Sequence, residues 1–289
     1  MTESILLSLF GPGALALDQC PEIPPDEIAA PATHVVLFNG MWTSFADARA
    51  DMDALRTNYG NEGPDGQNLR YAVFYHQSPE AMIAFVETFG RLLANEQGGV
   101  LEDRFELLGS ALHCRGPWWD AIVGVIPSFG TFLERDVARE VHAATTQDIL
   151  SVLDDPPTID DFVCASEQLE DWARDDLVLV GHSEGDLFAS ALRDSLASTD
   201  RPGATASLHI APPALPPDDE PYLLADIDFL INGIVGASFD VPVPNVEAAE
   251  STNQLGECLG HDLGDVYLTD FELNRAVHDA LEELVATIH

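Results

Sequence analysis

The most constraining stretch of this chain is LVLVGHSEG at residues 177–185, where an unbroken apolar run ends in a glycine-flanked serine and a helical pattern begins at once. The run Leu177, Leu179 with Val178 and Val180, entered from Asp175 and Asp176, reads as a strand buried on both faces. From Glu184 onward, Leu187, Ala191, Leu192 and Leu196 fall on one helical stripe. A strand that turns this sharply into a helix holds its turn residue in a strained backbone conformation. Gly181 and Gly185, two residues before and two after Ser183, let the chain pass without clashing. The serine oxygen then stands at the carboxyl end of a sheet, beside a helix N-terminus that favours negative charge.

The rest of the chain supplies a sheet for that strand. Residues 33–39 (THVVLFN) form a β-branched, apolar run closed by Gly40. Residues 69–75 (LRYAVFY) and 206–211 (ASLHIA, closed by Pro212 and Pro213) read the same way, and 222–231 holds a fifth strand. Residues 241–246 (VPVPNV) suit only an edge, because proline cannot donate to a ladder. Continuous apolar strands separated by helices predict an α/β fold with a mostly parallel central sheet covered by helices on both faces. The last helix is predicted from Thr269, with Glu272 completing a capping box and Leu273, Val277, Ala280, Leu281, Leu284 and Ile288 as its apolar face.

Residues 78–175 carry almost no strand signal, and 79–93, 101–112, 136–153 and 159–172 read as helices. One helix suffices to connect two parallel strands, so a helical cap insertion is expected at about 78–157. Its Gly116-Pro117-Trp118-Trp119 turn and the apolar run 121–132 either line a substrate pocket or pack the cap onto the body. The expected division is an N-terminal segment over 1–32 and one domain over 33–289 carrying the cap.

With the G-x-S-x-G motif placed between strand and helix, the chain resembles the α/β-hydrolase superfamily, in element order from residue 33 to the C-terminus. The resemblance implies a serine nucleophile, an acid and a histidine in that chain order, with an oxyanion hole after an earlier strand. Ser183 is the implied nucleophile. His261, in the loop CLGHDLGDVYL between the last strand and the last helix, is the implied base, with Tyr267 and Leu268 resembling the closing segment of esterase-like members. His278 lies within the last helix and His289 ends the chain. Asp228 is the preferred acid, because it precedes a short apolar segment; Asp226 and Asp240 remain alternatives. The oxyanion donors are the N–H groups of Glu184 and Met41, with Gly40 in reserve, on the segment Asn39-Gly40-Met41-Trp42. The implied activity is cleavage of carboxylic esters with an apolar part. A thioesterase or acyltransferase uses the same triad, and a non-catalytic binding protein of this fold is the reading from another class.

Composition narrows the partners. Fifty acidic residues face twelve basic ones, all arginine, for a formal charge of −38. Such a surface repels nucleic-acid phosphate and anionic membranes. The carboxylates are dispersed rather than gathered in a tail, which suits a protein in high salt, where screening removes self-repulsion. An acidic protein from a GC-rich genome explains arginine over lysine equally well. Cys20, Cys114, Cys164 and Cys258 form no C-x-x-C pair; they allow two disulfides or four buried thiols. Residues 5–10 are mostly apolar and Ala14-Leu15-Ala16 has a small-x-small form, but Glu3 puts acid where an export signal wants positive charge. The segment reads as a degraded or mis-started signal peptide, or as a short core segment. The location is accordingly extracytoplasmic in a saline setting, or the cytoplasm of a salt-accumulating organism. His34, His76, His113 and His209 make no metal-ligand pair, and neither G-x-x-x-x-G-K nor G-x-G-x-x-G occurs, so no metal or nucleotide cofactor is expected. His209, on an apolar strand, reads as a satisfied core histidine. The oligomeric state is left open.

Overall fold

A computed structural model of the protein describes residues 32–40, 43, 45–76, 146, 149–150, 152–153, 165–233, 240–249 and 260–288. Its centre is a five-stranded sheet built from β1 (Thr33–Phe38), β2 (Leu69–Phe74), β3 (Asp176–His182), β4 (Thr205–Ile210) and the short β5 (Tyr222–Leu223). Every pairing is parallel, and the order is β2-β1-β3-β4-β5. The chain therefore runs outward from β1 to β2, then returns to β3 on the other side of β1. That reversal puts the topological switch point at the carboxyl ends of β1 and β3, the place where sheets of this kind bind ligands.

Two apolar layers explain why the strands read as unbroken hydrophobic runs. Alternate side chains point to opposite faces of a strand. Val35, Leu37, Val178, Val180, Leu208 and Ile210 pack on one face against Leu55 of helix α1 (Phe45–Tyr59) and against the last helix. Val36, Phe38, Phe74, Leu177 and Leu179 pack on the other against Ala165 of α2 (Ala165–Asp171) and Phe188, Ala189 and Leu192 of α3 (Glu184–Ala197). The sheet is thus mostly parallel and covered by helices on both faces, as the sequence predicts.

Local details differ from the sequence reading in several places. Helix α1 is absent from it because FADARADMDALRTNY buries only Ala48 and Leu55, too narrow a stripe to stand out. In α3 the buried positions include Phe188 and Ala189, while Leu187, Ala191 and Leu196 sit at the margin. The fifth strand is only Tyr222–Leu223, because the chain turns at 226–227 into a short helix α4 (Phe229–Asn232). Residues 241–246 add no strand: a single parallel bridge joins Val246 to Ala225, beside prolines that cannot extend it.

The last helix, α5 (Phe271–Ile288), buries Leu273, Val277, Leu281 and Val285. Its cap is Asp270 rather than Thr269: the Asp270 carboxylate accepts from Glu272 N at 3.0 Å and Leu273 N at 3.1 Å. The Thr269 hydroxyl instead donates to Gly264 O at 2.7 Å and ties down a π-helical turn over Leu263–Tyr267. The N-terminal segment before residue 32, the Gly116-Pro117-Trp118-Trp119 turn, all four cysteines and most of the expected cap lie outside the described residues.

Candidate functional site

The strand-to-helix turn forms as the motif requires. Ser183 sits between β3 and α3 at φ 55° and ψ −129°, a left-handed conformation that costs a non-glycine residue about 1–3 kcal/mol. The fold holds it there through flanking contacts. A Cβ on Gly185 would run into the carbonyls of Phe38 and Asn39, and one on Gly181 into the backbone of Asp186. The two glycines therefore let α3 begin directly against β1 and β3. Ser183 N donates to Ile210 O at 3.0 Å, which pins the turn to β4. The Ser183 hydroxyl is buried and has no hydrogen-bond partner among the described residues.

His261 reaches the same end of the sheet from the far part of the chain. Gly260, at φ 68°, passes against the Ile227 carbonyl so closely that a Cβ would not fit, and this contact sets the next residue over Asp228. His261 Nδ1 and Asp228 Oδ2 are 2.9 Å apart. Asp228 is fully buried, and its other oxygen accepts from Ile231 N at 2.9 Å, at the start of α4. Asp228 Oδ2 also accepts from the Tyr267 hydroxyl at 2.9 Å, and that hydroxyl accepts from Ala225 N at 3.1 Å. Burial, then the Asp228 charge, pushes the Tyr267 phenol well above its usual range, so it stays a donor. With Nδ1 committed to the carboxylate, His261 Nε2 is left buried and without a partner among the described residues, as Ser183 Oγ is. A buried serine near a buried histidine–aspartate pair is an arrangement geometrically consistent with a catalytic triad.

The other acids stand elsewhere. Asp226 is exposed and its carboxylate accepts from Ala248 N at 3.0 Å; Asp240 is exposed and pairs through its backbone with Leu215. The turn at 226–227 is what separates them: it leaves Asp226 outside and carries Asp228 in.

The end of β1 also adjoins the turn. The Asn39 side chain donates to His76 O at 3.0 Å and accepts from His76 N at 2.9 Å, clamping the ends of β1 and β2 together. Gly40 then lies against the turn: a Cβ on it would come within 3.1 Å of Ser183 Cβ and 2.6 Å of His182 Nδ1. Glu184 opens α3, at the end where a helix gathers its N–H groups and positive dipole. Met41 lies outside the described residues.

Tyr267 and His182 are the site residues whose contacts the sequence pattern does not reveal. Tyr267 appears there only as part of a family-like segment, and nothing in its spacing marks it as Asp228's second partner. His182 occupies a free position of the motif. Its Nε2–H donates to the His261 carbonyl at 2.8 Å, and burial, with a smaller effect from His261, pulls its pKa down to about 3.

The remaining histidines have other partners. His34, at the opposite end of β1, meets Asp175 at 2.8 Å and stacks on Trp172; burial lowers its pKa to about 4. His209 is indeed satisfied, between Asp186 on Nδ1 and Glu220 at 2.7 Å on Nε2, with Arg193 paired to Glu220. His278, Asp279 and Glu282 gather their ligand atoms within 4.8 Å on the solvent side of α5. Among the described residues no helix is long and apolar enough to cross a membrane. Comparison of the chain with protein-family models, curated proteins and solved structures finds no match.

Proposed function

We propose that this protein is a serine hydrolase of the α/β-hydrolase superfamily that cleaves carboxylic esters through an acyl-enzyme. The carrying observation is the pairing of His261 Nδ1 with Asp228 at the switch point of the sheet, where His261 Nε2 and Ser183 Oγ are both buried and without a partner among the described residues.

His261 Nε2 takes the Ser183 proton as the oxygen attacks the ester carbonyl. Asp228 holds the imidazole in the tautomer that leaves Nε2 free, and stabilises the imidazolium that forms. The oxyanion rests on the N–H groups of Glu184 and Met41, with the N–H of Gly40 as the reserve second donor. Each donor of this kind is worth roughly 10²–10³ in rate. His261 then protonates the leaving alkoxide, and a water activated by the same nitrogen releases the acid. The preferred substrate is an ester with an apolar acyl or alkyl part, bound under the cap; no metal or organic cofactor enters these steps.

A fluorophosphonate probe tests the reading. Wild type is expected to label at Ser183, while Ser183→Ala and His261→Ala do not. Folded wild type that stays unlabelled would refute the assignment and favour a binding protein. A panel of oxygen and thiol esters of graded chain length then separates esterase from thioesterase.

A further inference from the structure

We propose that His182 is a positioning residue that joins the base loop to the nucleophile turn, holding His261 by its backbone. The inference rests on the serine-hydrolase reading above. Ser183 and His261 are 78 positions apart in the chain. A hydrogen bond from His182 Nε2 to the His261 carbonyl at 2.8 Å joins the two neighbourhoods. The two imidazoles also adjoin, with centroids 4.9 Å apart and planes tilted by 34°. Tyr267, which holds Asp228, meets the same His182 ring edge-on at 6.1 Å. On its other side Nδ1 lies against Gly40, where no side chain fits.

One ring thus touches the nucleophile turn, the base loop and the oxyanion loop. Its chemistry suits the task. A carbonyl only accepts, so His182 has to present a proton on Nε2. Burial keeps the ring neutral even when its neighbour His261 is protonated, so the Nε2–H tautomer is the same at every stage of the reaction. A positively charged residue in this place would oppose the imidazolium that the mechanism forms. A neutral donor orients His261 without that penalty.

The test uses phosphonylation kinetics on His182→Leu and His182→Gln. Leucine removes the donor. Glutamine keeps an N–H at about the reach of Nε2. His182→Leu is expected to lower the maximal rate of Ser183 phosphonylation by about 10–100-fold, the scale of a misplaced catalytic group, with probe affinity unchanged. His182→Gln is expected to recover most of that loss. A leucine variant that labels at the wild-type rate overturns the proposal, and so does a glutamine variant as slow as leucine. Absence of labelling in folded wild type is a different result, since it removes the hydrolase reading itself.

A second measurement needs no active variant. In ¹⁵N spectra of histidine-labelled wild type, with the His182 signal assigned by its loss in His182→Gln, the ring is expected to remain a neutral Nε2–H tautomer from pH 5 to 8. A protonated ring or an Nδ1–H tautomer in that range overturns the proposal.

Discussion

Replacing Tyr267 by phenylalanine removes one oxygen and leaves the ring volume in place. That oxygen does two things: it donates to Asp228 Oδ2 at 2.9 Å and accepts from Ala225 N at 3.1 Å, both in the interior. A hydrogen bond to a charged group is worth about 1.5–3 kcal/mol, and an unpaired buried N–H costs about 1–3 kcal/mol. The two overlap in part, so Tyr267→Phe is expected to lose about 2–5 kcal/mol of unfolding free energy. Because a fold of this size has only about 5–15 kcal/mol, the loss is easily measured by denaturant unfolding followed by circular dichroism. A variant within 0.5 kcal/mol of wild type would refute this account of Tyr267.

Three further outcomes follow from other parts of the molecule. Burial, reinforced by Asp262, Asp47 and Asp265, pushes the Asp51 carboxyl from 3.8 to about 8; the folded state then holds a proton that the unfolded chain has released, so this stability is lost as pH rises from about 4 to about 8. Asp51→Asn is expected to flatten the fall of Tm with pH across that window, and parallel curves for the two proteins would contradict it. His209→Leu leaves the Asp186 and Glu220 carboxylates without the ring between them, one of them fully enclosed, and is expected to cost about 3–5 kcal/mol in denaturant unfolding; a loss under 1 kcal/mol would show that the network contributes little. The dispersed charge of −38 leads us to propose a saline setting, with a Tm that rises steeply from low to molar salt; a salt-independent Tm would remove that proposal.

Sequence patterning decided the architecture because each strand is buried on both faces. Val35 to Phe38 and Leu177 to Val180 alternate between two separate apolar layers, so every position had to be hydrophobic, and the pattern was readable without knowing either layer's partners. The turn at Ser183 was readable for a related reason: a strand passing into a helix over two residues needs its glycines at fixed offsets, and local sterics write them into the chain. The carboxylate that pairs with His261 was only narrowed. Asp226, Asp228 and Asp240 are equivalent as letters in a chain this acidic, and what separates them is the turn at 226–227 together with the approach of Gly260 to Ile227.

The partners of the site residues belong to tertiary structure alone. Asp228 meets Tyr267 across 39 positions, and His182 meets the His261 carbonyl across 79. No periodicity connects such residues, because the distance between them is set by how the loops fold back over the sheet. Helix α1 was hidden for the opposite reason: its buried face is too small to leave a pattern. The sequence by itself determined a parallel sheet with a strained serine at the end of β3, since both follow from local sterics and two-sided burial. Which carboxylate faces His261, and which groups hold that pair in place, only the packing of distant segments could decide.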